Sequence, residues 1–81
     1  GPYSAVRHGR FKLIYFHGDR RLELYDLTTD VSESRDLSRS RPADLARMAK
    51  LLTARLKEAK AQMSIHKGTG KPVPWPDQLI G

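Results

Sequence analysis

Cysteine is absent from this chain. Disulfide staples and thiolate metal centres are therefore excluded. Histidine does not fill the gap. His8, His17 and His66 are scattered along the sequence, so a structural zinc site is not expected. Long apolar runs are missing too. None approaches the ~20 residues of a membrane-spanning helix, and no membrane partner is expected. Aromatic residues make up only 7% of the chain, with a single tryptophan at Trp75. The 81 residues are 38% hydrophobic and 30% charged, which is material for one small domain with a modest core. A domain of this size buries only about 60% of the surface its unfolded chain exposes, so its own stability is expected to be marginal.

Acidic residues are also in short supply. Nine Asp and Glu face 15 Lys and Arg, for a net charge of +6. A basic balance admits nucleic acid, an anionic polymer or an anionic surface as a partner. It is only the first step of a nucleic-acid argument. Base stacking needs aromatics at fixed outward positions among the cations. Phe11, Tyr15 and Phe16 are present, but no RNA-binding signature surrounds them, and no aromatic interleaves with the Lys and Arg of the helix. Nucleic acid is therefore not the expected partner.

Residues 3–27 carry a strand pattern. Ser4–Arg7 is a short first strand, and His8-Gly9 is turn material. Arg10–Phe16 is rich in aromatic and branched residues. Phe11, Leu13 and Tyr15 share one of its faces, and Lys12, Ile14 and Phe16 the other. Both faces turn apolar toward its end, which predicts a central place in the sheet. His17–Arg20 reads as a hairpin loop, with Gly18 free to take positive φ. Arg21–Tyr25 is the return strand, with Leu22 and Leu24 facing the core.

Residues 28–41 form a turn-rich connection whose Ser, Thr and Asp side chains can bond nearby amides. Leu37 is its clearest apolar anchor, and a single helical turn is expected around Ser32–Leu37. A helix spans 42–63. Pro42 suits its first position, Ser40 or Arg41 its cap, and Asp44 its dipole. Leu45, Met48, Leu52, Leu56, Ala59 and Met63 recur every three or four residues and form one stripe. That stripe either covers the small sheet or binds another protein; covering is the simpler role, because a small sheet needs a helix over one face. Lys57 lies off the stripe and is expected to be replaceable at little cost. The tail, 64–81, is proline-rich, and Pro72–Pro76 is expected to be extended, with Trp75 packed on a folded surface. The fold class is α+β: a small antiparallel sheet packed against one long C-terminal helix, followed by an extended Pro-rich tail.

Four stretches stand in a specific order and spacing. Ala5-Val6-Arg7-His8-Gly9-Arg10-Phe11-Lys12-Leu13-Ile14 opens the set. Glu23-Leu24-Tyr25-Asp26-Leu27 follows. Asp30-Val31-Ser32-Glu33-Ser34-Arg35-Asp36-Leu37 is third. Pro42 then opens the helix, and Ala61-Gln62-Met63 closes the set. Together they resemble the C-terminal subdomain of bacterial sulfatases, the arylsulfatase-like, formylglycine-dependent family, over nearly the whole chain. Val31 stands where that family has proline, and Asp36 where it has asparagine. The resemblance implies a non-catalytic subdomain, 1–81, that supports the catalytic domain and shapes the cleft of an enzyme hydrolysing sulfate esters. It also implies calcium and formylglycine in the parent, a periplasmic or secreted parent, and the N-terminal catalytic domain as partner. Sulfated substrate is then met only through that parent. The alternative is a freestanding basic α+β module for nucleic acid or another polyanion.

Such hydrolysis needs a nucleophile, a metal and a proton donor. The family's nucleophile arises in a Cys/Ser-x-Pro-x-Arg motif. Here only Ser40-Arg41-Pro42-Ala43-Asp44 approaches it, without the final Arg and at a helix start. No acidic cluster has the form of a calcium site. No catalytic, cofactor or metal residue is assigned. The one candidate site is the hairpin tip, His17, Asp19, Arg20 and Arg21, read either as a cationic, cleft-facing tip or as a solvated loop. For the basic surface, binding to DNA or RNA is expected to be weak and salt-sensitive. Sequence-selective binding well below the ~10⁻⁴–10⁻⁶ M of non-specific contacts, at about 150 mM salt, would instead favour the binding module.

Overall fold

Alternation in Phe11–Phe16 organises the sheet. The computed structural model describes residues 2–59, 70 and 72–80. It contains β1 (Tyr3–His8), β2 (Phe11–Phe16), β3 (Arg21–Asp26) and α1 (Pro42–Glu58), with a short 3₁₀ turn at Pro76–Leu79. The strands are antiparallel in the order β1-β2-β3, so the strand that is apolar on both faces is the central one. Val6, Leu13 and Leu24 stand opposite one another across the three strands, as do Ser4, Tyr15 and Leu22. These residues form the inner face. The core adds Met48, Ala49 and Leu52 from α1 to Val6, Leu13, Tyr15 and Leu24 from the sheet. The helix lies across β1 and β2. The architecture is α+β.

The two hairpins turn differently. Gly9 and Arg10 link β1 to β2, and Gly9 takes φ 61°, open to glycine without penalty. In the second hairpin the positive φ falls on Arg20 (φ 51°) and not on Gly18 as expected. The outer edge of β3 is tied down at Leu24. Leu13 faces it across the ladder, while its outward amide donates to an Asp36 carboxylate oxygen at 3.0 Å, and its carbonyl accepts from the Leu37 amide at 2.7 Å. Leu37 thereby becomes the anchor of the 28–41 connection. The expected helical turn around Ser32–Leu37 does not form. Instead the Asp30 carboxylate draws in the Ser34 amide (3.0 Å) and the Arg35 amide (2.8 Å), which opens the local backbone. Glu33 adopts φ 55° there and pairs with Lys12 at 2.8 Å. Val31 projects outward, 84% exposed.

Pro42 occupies the first turn of α1, with Asp44 beside it and Arg55 and Lys57 in the last turn, each sign suited to its end of the dipole. Arg41 is the N-cap residue, without a side-chain cap bond. The stripe is buried at Met48 and Leu52 and half-buried at Leu45 and Leu56. The helix stops at Glu58, with Ala59 capping it through the Arg55 carbonyl. The expected residues 60–63 lie outside the described residues.

The tail is extended only in part. Val73 is buried and Trp75 is extended, but Pro76–Leu79 closes into the 3₁₀ turn. The reason is local: Pro76 fits a first helical position, and the Gln78 side chain accepts the Trp75 amide at 2.7 Å. The turn is docked on the domain. The Tyr15 hydroxyl donates to the Pro74 carbonyl (2.6 Å), and the Asp77 amide donates to the buried Thr53 hydroxyl (3.1 Å). Residues 64–69, 71 and 81 lie outside the described residues.

Leu52→Ala is expected to cost roughly 2–5 kcal/mol, a large share of the stability of so small a domain. Lys57 is not the inert control that the sequence suggests, because its ammonium lies 5.2 Å from the centre of the Trp75 ring. Lys57→Ala is expected to cost about 0.5–1 kcal/mol, and Lys50→Ala less than about 0.5 kcal/mol. Urea melts of the three variants check the ranking. A Leu52→Ala melt that matches the parent chain would show that the stripe is not the core.

Candidate functional site

The four residues of the candidate tip part company. His17 continues the alternation of Phe11, Leu13 and Tyr15 one position past β2, so its ring falls on the inner face. It is 8% exposed. Its amide donates to the Pro2 carbonyl (3.2 Å), its Nε2 bonds the Ser4 hydroxyl (2.8 Å), and its ring lies 5.0 Å from that of Tyr15. The buried Nδ1 has no partner among the described residues. Burial lowers the pKa of the imidazole from its ordinary value, which keeps it neutral at physiological pH. His17 therefore adds no positive charge to the tip.

Asp19, Arg20 and Arg21 remain together and exposed. Arg21 is tied on both sides, through Nη1 to Asp19 (3.0 Å) and through Nε to Glu23 (3.0 Å), and its guanidinium sits 4.5 Å from the Phe16 ring centre. Arg20 makes no ion pair among the described residues. The tip forms one wall of an open groove of about 670 Å³. Asp36, Ser38 and Arg39 line it too, together with Leu22, Leu45 and Leu79. The sequence shows the cations of the tip but not the groove, because its walls come from four separate segments.

Three aspartates outside the groove are held in local bonds. Asp26 accepts from the Thr28 hydroxyl (2.6 Å) and amide (3.0 Å) and pairs with Arg10 (3.2 Å). The Thr28 bonds foremost, with help from Arg10 and Arg41, hold its carboxyl below the usual range despite burial. Asp30 is likewise lowered, first by the Ser34 and Arg35 amides. Asp44 is lowered by its bonds to Arg47 and Arg41. The same arginines surround one ring: the guanidiniums of Arg10, Arg41 and Arg47 lie 4.9, 5.5 and 5.8 Å from the centre of Phe11. This clasp joins the start of the helix to the sheet, and no local sequence pattern announces it.

Ser40 is an exposed loop residue whose hydroxyl bonds the Leu37 carbonyl (3.5 Å), and His8 is exposed at the end of β1. His66 lies outside the described residues. Among the described residues no group of three His, Cys, Asp or Glu is placed to hold a metal ion, and no helix is long and apolar enough to cross a membrane. Comparison with protein-family models and with curated proteins finds no match to this chain.

The neutral, buried His17 makes stability depend on pH. Above about pH 6.5 the folded and unfolded chains both carry it uncharged, so it contributes no slope. As pH falls below that value, the unfolded chain takes up a proton that the folded chain resists. Stability should therefore decline until pH passes the lowered folded-state pKa. Between pH 7.5 and 5.0, roughly, the urea midpoint of the parent chain should drop more than that of His17→Gln. Equal drops would show that His17 carries no linkage.

Proposed function

We propose that this chain is the non-catalytic C-terminal subdomain of a sulfatase that hydrolyses sulfate esters. It supports the catalytic domain and helps to shape the substrate cleft. One observation carries the reading. The acids in the segments that resemble the family all serve as structural joints. Glu23 accepts from the Tyr25 hydroxyl and from Arg21. Asp26 holds Thr28 and Arg10, and Asp30 holds the Ser34 and Arg35 amides. Glu33 pairs with Lys12. Asp36, in the family's asparagine position, accepts the Leu24 and Ser38 amides at 3.0 and 2.9 Å. A sequence signature that builds turns and edges is the signature of a scaffold.

Calcium does not fit these residues. A calcium site needs six or more oxygens free to converge, and these carboxylates already serve amides, hydroxyls and cations. The metal and the formylglycine belong, in this reading, to the N-terminal catalytic domain of the same protein. Sulfated substrate is then met only through that domain, in a periplasmic or secreted parent. The freestanding polyanion-binding module has less support. Arg10, Arg41 and Arg47, which gather around Phe11, are each tied to Asp26 or Asp44.

The purified 81-residue chain should show no hydrolysis of p-nitrophenyl sulfate or phosphate, with or without calcium, and no tight calcium binding by calorimetry. The coding sequence upstream should carry a Cys/Ser-x-Pro-x-Arg motif. Metal-dependent turnover by the chain alone overturns the scaffold role, and an upstream sequence without the motif overturns the parentage.

A further inference from the structure

The groove beside the hairpin tip has a distribution of charge that its composition hides. Its two carboxylates keep their charge but have partners of their own. Asp36 accepts the Leu24 and Ser38 amides and the Ser38 hydroxyl, and Asp19 pairs with Arg21. Arg21 is itself shared with Glu23. Arg20 and Arg39 also line it, and neither side chain makes a hydrogen bond or ion pair among the described residues. Leu22, Leu45 and Leu79 are each only half-buried, and all three line the same space.

Arg20 adds an independent sign. Its φ of 51° is a conformation that glycine adopts freely and that a Cβ disfavours. The chain holds an arginine in this position although it has glycine two positions away at Gly18. Such residues persist where the surrounding structure imposes them and cluster at binding sites.

We propose that this groove binds an extended acidic peptide segment, with carboxylates on Arg20 and Arg39 and an aliphatic side chain on the three leucines. Guanidinium groups bind carboxylates in a planar, two-point fashion. The volume of about 670 Å³ lies within the range of ligand sites. Its open form suits a segment laid along it better than an enclosed small molecule. The alternating side chains of an extended peptide supply carboxylate and aliphatic groups at short, regular spacing. The proposal does not depend on the sulfatase reading.

The test uses the 81-residue chain and a fluorescein-labelled, C-terminally amidated pentapeptide that alternates glutamate and leucine. Fluorescence anisotropy should show saturable binding. Arg20→Gly and Arg39→Ala should each weaken it at least tenfold. Arg20→Gly should melt at or above the temperature of the parent chain, because the substitution relieves the left-handed position; this separates lost binding from lost folding. A peptide alternating glutamate and serine should bind at least tenfold more weakly than the leucine peptide. Amide shifts on titration should centre on residues 20–22, 39, 45 and 79. Absence of binding, or binding indifferent to both arginines, overturns the proposal. Equal affinity for the serine peptide, or displacement by low-millimolar inorganic phosphate or sulfate, shows a simple oxyanion site and overturns the peptide assignment.

Discussion

A relay of main-chain hydrogen bonds carries the order of the sheet into the helix. The Leu24 carbonyl accepts from Leu37, the Leu37 carbonyl from Arg41, and the Arg41 carbonyl from Leu45, at 2.7, 3.0 and 2.9 Å. Each link satisfies a group that would otherwise stand unpaired at an edge or a helix start. The first closes the outer side of β3, the second fixes the N-cap, and the third starts the helical ladder. The relay therefore fixes where α1 begins and helps to set which stripe faces Val6, Leu13 and Tyr15. The Phe11 clasp works at the same junction, with Arg41 and Arg47 held both to Asp44 and against the ring. The absence of a side-chain cap at Arg41 is offset by these neighbours.

The scarcity of acid shapes the rest. Glu23, Asp26, Asp30 and Asp36 organise amides or hydroxyls, and Glu23 and Asp26 also balance a cation. The loop from Thr28 to Arg41 is ordered in this way: Asp26, Asp30 and Asp36 each bond the backbone within a few residues and substitute for regular structure. These carboxylates keep their negative charge while they shape the backbone, so the net charge of +6 follows from the composition alone. It need not signal a nucleic-acid partner.

Much of this was legible in the sequence. The central place of β2 follows from its two apolar faces, and the helix from its three-and-four spacing and Pro42. Other features depend on contacts that no local window contains. The Tyr15 hydroxyl reaches Pro74 across the whole domain, and Lys57 reaches Trp75 from the side of the helix that periodicity marks as inert. The Ser32–Leu37 turn went the other way because propensity gives no account of which amides an aspartate will claim. The candidate tip was half legible. Its cations are plain, but His17 belongs to the inner face by simple extension of the β2 alternation, and the turn formula that assigns it to the loop conceals this. The positive φ at Arg20 runs against the residue preference that points to Gly18. The groove could not be read at all, since Leu79 comes from the docked tail.

Two contacts tie distant parts of the chain to one end of β2. Pro2 accepts the His17 amide, and Pro74 accepts the Tyr15 hydroxyl. The beginning of β1 and the returning tail thus meet at a single corner of the domain. In a longer protein, a chain joined ahead of Pro2 would enter the module at that corner, beside the hairpin tip and its groove. The opposite corner, with the Gly9 turn and the arginines around Phe11, lies about 17–20 Å away, the length of a six-residue strand. The point of attachment and the groove therefore share one end of the sheet, and the clasp has the other.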